Sequence, residues 1–236
     1  MNTVISANAV RPQTESLLAR IKNYSFPGGE DMGRSVRCIK TTQRGEIRSG
    51  PEARWVAFTA EEYVDAMKSG FCCDATLGSG LTAVHVTDAY ENGHGRLIVR
   101  KGPLQLKKLV GVDVDKGELQ RYLAYMIYCP PMLVNNASLE FTAVSPRVLR
   151  LRDRADSTNT SVDIEVEDTG CITVAHAVRP MIVGKRILWT PWSARGSDIE
   201  ERGGLRVPRT LEASWDLPEG VFTYIRIELL NFELVH

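Results

Sequence analysis

The chain of 236 residues has no surplus of charge, no metal-binding spacing and none of the short motifs that mark common enzyme classes. Lysine plus arginine and aspartate plus glutamate each number 29, so the formal net charge is zero. That balance argues against a protein whose main task is to hold nucleic acid or an acidic membrane. Cysteines are few: Cys38, Cys72, Cys73, Cys129 and Cys171 make an odd five, with no CxxC and no Cys/His zinc spacing. Free thiols in a reducing compartment, and no metal, are the expectation. His85, His94, His176 and His236 stand singly, none with a second ligand two to four residues on. GxSxG, Walker, HExxH and strand-borne GxGxxG patterns are missing, so no cofactor is expected. No apolar run approaches the roughly 20 residues of a membrane helix. The opening MNTVISANAVRPQ lacks a basic segment followed by an apolar one, so it does not read as a secretory signal. A cytoplasmic protein that neither inserts into membranes nor binds nucleic acid is the expectation.

What is present is an ordinary globular composition, 43% hydrophobic and 25% charged, arranged mostly with a period of two. Residues 1–33 read as an N-terminal accessory segment, with a short helix over 14–21 capped by Thr14. Residues 34–236 read as a single β-rich domain. Within it, 35–49 looks like a hairpin turning at Gln43-Arg44-Gly45, and 55–58 like a short strand. TAEEYVDAMKSG then suggests a helix capped by Thr59 and closed by Gly70. Strands follow over 81–90 and 96–101, joined by ENGHG, and 104–110 leads into a helix. Beyond it, 139–144, 147–152, 161–167, 171–178, 186–192, 206–215 and 221–234 read as strands. Asp198, Glu200, Glu201 and Arg202 read as a solvated loop or lid. About ten strands joined by short turns must pair antiparallel, because parallel neighbours need a long crossover. The fold class expected is α+β, mainly β. It is a large curved antiparallel sheet, half-barrel or barrel, with one long helix packed across it.

That helix, over 115–129, has the clearest period in the chain. Leu119, Leu123, Met126 and Ile127 form an apolar stripe, Asp115 with Glu118 looks like a capping box, and Pro130-Pro131 stops the helix. On one flank Glu118, Arg121, Tyr122 and Tyr125 recur at spacings of three and four. Facing a cavity, the arginine would hold an anion and a tyrosine would move a proton, so these four are the catalytic candidates. Asp88, His85, His176, Trp189 and Trp192 are the candidates for binding a substrate. His85 and Asp88 are three apart and fall on opposite faces of a regular strand, as do His176 and Arg179.

Three stretches together resemble a bacterial domain-of-unknown-function family across roughly 33–230. They are D-x-Y-x-x-G-x-G (Asp88, Tyr90, Gly93, Gly95), then G-x-L-x-R-Y-L-A with a later proline (Gly117, Leu119, Arg121, Tyr122, Leu123, Ala124, Pro130), then G-x-x-V-P before a tryptophan (Gly204, Val207, Pro208, Trp215). The resemblance implies a β-rich fold and carries no activity. Two departures stand out: Tyr125 occupies a position where the family pattern tends to have an acid, and relatives attached to membrane segments contrast with this chain. The leading functional expectation is a cofactor-independent isomerase, cyclase or lyase. It would act on a small, partly apolar molecule in the concavity of the sheet. The alternative is a non-catalytic carrier of a lipophilic small molecule. Either has a small-molecule partner, and both leave a homo-oligomer open.

Overall fold

The computed structural model describes residues 7–236 apart from residue 185. Thirteen strands, counted among the described residues, make one antiparallel sheet. The first meander holds β1 (Cys38–Ile47), β2 (Val56–Asp65), β3 (Phe71–Leu77), β4 (Val84–Glu91), β5 (His94–Lys101) and β6 (Leu104–Leu109). The second holds β7 (Leu139–Ser145), β8 (Val148–Asp153), β9 (Val162–Val166), β10 (Ile172–Val183), β11 (Arg186–Arg202), β12 (Leu205–Leu217) and β13 (Gly220–Val235). Pairing of β1 with β13 joins the two meanders, leaving β6 and β7 as the edges. Among the described residues four α-helices accompany the sheet: α1 (Ala7–Ser25), α2 (Asp31–Arg34), α3 (Val112–Ala124) and α4 (Met132–Asn135). None of the described helices is long and apolar enough to cross a membrane.

The chain leaves one edge at β6 and re-enters at the other edge with β7, so the segment between them must cross the sheet. Laid flat, twelve strand spacings would put the edges roughly 58 Å apart. Helix α3, about 20 Å long, nevertheless packs on β5 and β4 near one edge and on β10 and β9 near the other. The sheet therefore curls around α3, which confirms the expected curved antiparallel sheet with a helix across it.

Two glycines seat the helix. A Cβ on Gly95 of β5 would lie 2.7 Å from the Val114 carbonyl oxygen, and one on Gly117 of α3 would lie 3.0 Å from Pro180 Cγ of β10. Asp115 does not cap the helix as expected. The helix begins at Val112 after Gly111, and the Asp115 carboxylate accepts the Gly95 N–H at 2.7 Å instead. The last turn tightens to a 3₁₀ turn at Tyr125–Ile127, before the two prolines.

Several expected elements are corrected. The helix foreseen over 14–21 runs from Ala7 to Ser25 with Pro12 inside it, so α3 is neither the only long helix nor the longest. Thr14 lies within that helix, its hydroxyl donating to Val10 O and accepting the Ala143 N–H, both at 2.8 Å. Leu17 and Ile21 bury completely against the sheet. There is no hairpin turn at 43–45: β1 continues through it, with Gly45 leaving room for the Phe58 ring. Residues 59–65, expected as helix, belong to β2, where Phe58, Ala60, Glu62 and Val64 point inward in strict alternation. The expected lid at 198–202 is the end of β11, and the strand foreseen from Leu81 starts only at Val84, after a 3₁₀ turn.

Because Gly95 faces backbone atoms that cannot move aside, Gly95→Ala should destabilise the protein by about 1–3 kcal/mol, the usual cost of overpacking. Thermal unfolding would register this as a lower Tm; an unchanged Tm would show that α3 is not seated on this residue.

Candidate functional site

Between α3 and the concave face of the sheet lies a cavity of about 330 Å³. Most of its wall is apolar, with Phe58, Val86, Leu97, Leu211, Ile225 and Ile227 arriving from five different strands. Its polar groups are Gln43, Glu62, Asp88, Arg121, Tyr125, Tyr128 and Arg179, with the exposed Glu212. A more open hollow of about 530 Å³ lies elsewhere on the surface, bordered by Lys116, Arg150, Asp163, His176 and Trp189.

Glu62 is the centre of the polar group. Its side chain is 2% exposed, yet its carboxylate is fully occupied. Oε1 accepts from Arg121 Nη2 at 2.9 Å and from the Tyr125 hydroxyl at 2.6 Å. Oε2 accepts from Gln43 Nε2 at 2.8 Å and from the Tyr128 hydroxyl. Arg121 in turn spends Nη1 on Asp88 and Nε on Tyr125, so all three of its nitrogens are engaged. Its guanidinium also lies over the Phe71 ring, 4.9 Å from the centroid. Burial works against the Arg121 charge, but Tyr125, Asp88 and Glu62 outweigh it and hold the group charged. Burial first, and then Glu62 against the pull of Arg121, lifts the Tyr125 hydroxyl well above its usual range. Tyr128 is lifted likewise, by burial and then Glu62.

Of the expected residues, the structure brings together Arg121, Tyr125, Asp88 and Glu118. It does not place Tyr122 with them. Tyr122 is fully buried on another side of α3, donating to Asp65 O and accepting from Asn136 Nδ2, both at 3.0 Å. His85 is exposed on the outer face of β4, bonded to Thr76 at 3.1 Å and turned away from Asp88. His176 sits on the outer face of β10, 2.8 Å from Glu165, and Trp189 is half-exposed under Lys116. Trp192 does line the cavity, its Nε1 donating to the Tyr224 hydroxyl at 3.1 Å. Glu62, Gln43, Tyr128 and Arg179 escaped the sequence reading. The signal for Glu62 is a carboxylate on the apolar side of an alternating strand, in a stretch whose sequence reads as the opening of a helix.

Glu118 is 9% exposed and has no partner for its Oε2; Asp88 has none for its Oδ1. Two ionised carboxylates have no proton to exchange, whereas a protonated Glu118 donates to Asp88 and satisfies both oxygens. Burial, and then the Asp88 charge, push the Glu118 carboxyl up to about 8 against the pull of Arg179 and Arg121. In the unfolded chain a glutamate titrates near 4.3. Between there and about 8 the folded state alone keeps the proton, so stability should fall as pH rises through that window. Glu118→Gln should flatten the decline: between pH 5 and pH 8.5 its Tm should fall less than that of the parent. Parallel Tm-against-pH curves would refute the shared proton.

Among solved structures, a DUF1329 family protein from Desulfovibrio piger is similar with a TM-score of 0.51, at 9% identity, covering 94% of this chain and 93% of that one. A LolA superfamily protein from Nitrosomonas europaea gives 0.49 at 11% identity over 94% of each chain. A domain from Vibrio parahaemolyticus described as outer membrane lipoprotein-sorting gives 0.48 at 8% identity, over 97% of this chain and 93% of that one. Identities this low concern the fold alone. No curated protein matches the sequence. The expectation of an isomerase, cyclase or lyase is overturned here. One of these structures is described by the DUF1329 family, one as a LolA superfamily protein and one as a lipoprotein-sorting domain, and none as an enzyme. The groups assigned to acid–base work are also committed to one another: the Tyr125 proton to Glu62, the Arg121 donors to Tyr125, Asp88 and Glu62. The resemblance carried by the Asp88, Gly95 and Arg121 motifs is borne out: residues 20–227 match DUF6544, a family of unknown function, and the chain belongs to that family.

Proposed function

We propose that the protein is a non-catalytic carrier or binding protein for a lipophilic small molecule held between α3 and the sheet. The observation that carries this reading is the cavity itself. At about 330 Å³ it is an apolar-walled, partly open space between the helix and the sheet, within the range of roughly 300–1,000 Å³ that small-molecule sites occupy. A ligand entering it would shed its apolar surface from water, at about 25 cal/mol per Å², without displacing the hydrogen bonds of Arg121 to Tyr125, Asp88 and Glu62.

The test is binding of an uncharged fluorescent naphthylamine dye, followed by mass spectrometry of organic extracts of the purified protein. Ala75, half-buried on β3, contributes to the cavity wall. Ala75→Phe would fill the space and should weaken dye binding by about tenfold or more, equivalent to about 1.4 kcal/mol, while cooperative thermal unfolding persists. Equal affinity in the two proteins would place the dye elsewhere and remove the support for a carrier.

A further inference from the structure

Arg179 lines the cavity as a cation whose hydrogen-bonding capacity is only partly used. It projects inward from β10, is 8% exposed, and lies on the cavity wall beside Trp192. Its Nη2 donates to the Gly117 carbonyl oxygen at 2.6 Å, and its guanidinium lies over the Trp192 ring, 4.5 Å from the centroid. Its Nε is buried with no partner, and among the described residues its Nη1, which is not closed off in the same way, makes no hydrogen bond either. The contrast with Arg121, whose three nitrogens are all taken, is direct. A donor on a largely buried charged group is costly to leave unmade, so the Nη1 edge of Arg179 calls for an acceptor at this end of the cavity.

The charge of the surroundings decides what kind of acceptor fits. Glu62 and Asp88 are negative, and Arg121 and Arg179 are positive. With its proton shared toward Asp88, Glu118 leaves the sum at zero; ionised, it makes the sum minus one. The remaining charged wall residue, Glu212, is also acidic. In neither protonation state does a ligand carboxylate meet a surplus of positive charge, and it would bring an uncompensated charge into an apolar space. An uncharged carbonyl satisfies the guanidinium without that penalty.

We propose that Arg179 donates to the uncharged carbonyl of an acyl ester, so that the carried ligand is a neutral acyl lipid and not a free fatty acid. This rests on the carrier reading and adds the ligand's chemical class. Trp192 holds the guanidinium plane, Arg179 orients the carbonyl, and the acyl chain runs along the apolar strands.

Methyl oleate, sodium oleate and 1-octadecene share nearly the same apolar length and differ at the polar end. Each would compete for the naphthylamine dye on the full chain at pH 7. We expect methyl oleate to bind about tenfold more tightly than 1-octadecene, the gain from one hydrogen bond to a charged group, and more tightly than oleate. Arg179→Met should bring the ester-to-hydrocarbon affinity ratio close to one, and Arg179→Lys should restore part of it. Tighter binding of oleate than of its ester overturns the proposal, as does a wild-type ratio near one. Both comparisons use the unmodified protein and so hold even if Arg179→Met does not fold. If none of the three displaces the dye, the carrier reading falls as well; if the hydrocarbon competes as well as the ester, only the role of Arg179 falls.

Discussion

A single buried guanidinium ties the helix to the sheet. Arg121 projects from α3 and reaches Glu62 on β2, Asp88 on β4 and Tyr125 one turn along its own helix. Taking such charges out of water costs several kcal/mol per ion, and the cost is recovered only when every donor and lone pair finds a partner in good geometry. The cluster meets that condition at Glu62, which accepts from four groups. A small rotation or slide of α3 would break several of these bonds at once. The helix is thereby held at one height and one angle over the concave face.

The cavity follows from that placement. Gly95 and Gly117 let α3 approach β5 and β10 closely at its N-terminal half, and Asp115 secures the same contact through the Gly95 amide. Further along, the large side chains of Tyr125, Ile127 and Tyr128 become part of the cavity wall. Beyond that close contact the helix and the curved sheet bound a space with apolar walls and polar groups among them. The two tyrosines, kept protonated by burial and by Glu62, serve this architecture as hydrogen-bond donors.

The residues behind the family resemblance acquire physical roles in this arrangement. Asp88 and Arg121 come from different motifs and form one ion pair. Gly95 and Gly117 also come from different motifs and are two seats of the same helix. Gly93, at φ 84°, makes the tight turn between β4 and β5 that only a residue without a Cβ adopts readily. Tyr125, at the end of the second motif, bridges Arg121 and Glu62, and a carboxylate in its place would face Glu62 across a hydrogen bond.

Period and turn chemistry are local properties, and they were legible. The β9–β10 hairpin, the strands from β7 onward and the helical stripe of α3 could be traced from alternation, glycine turns and prolines alone, and short connections implied antiparallel pairing. So were the opposite orientations of His85 and Asp88, because a strand turns successive side chains to opposite faces. Glu62 was not legible: its carboxylate on the inner face of β2 makes sense only with Arg121, Tyr125, Tyr128 and Gln43 around it, and those residues come from 19 to 66 positions away. Without them, a glutamate in an apolar register looks like the start of a helix. The flank of α3 had the same limit. Spacing put Glu118, Arg121, Tyr122 and Tyr125 side by side, and only the curl of the sheet turned three of them toward the cavity side and Tyr122 into the solid core. Alternation and short connections in the sequence were enough for the antiparallel order and for most strands, and not for β2 or the extent of β1 and α1. Which charges share a proton, which arginine is spent and which retains an unpaired donor were decided by the tertiary fold, because burial and long-range pairing set those energies.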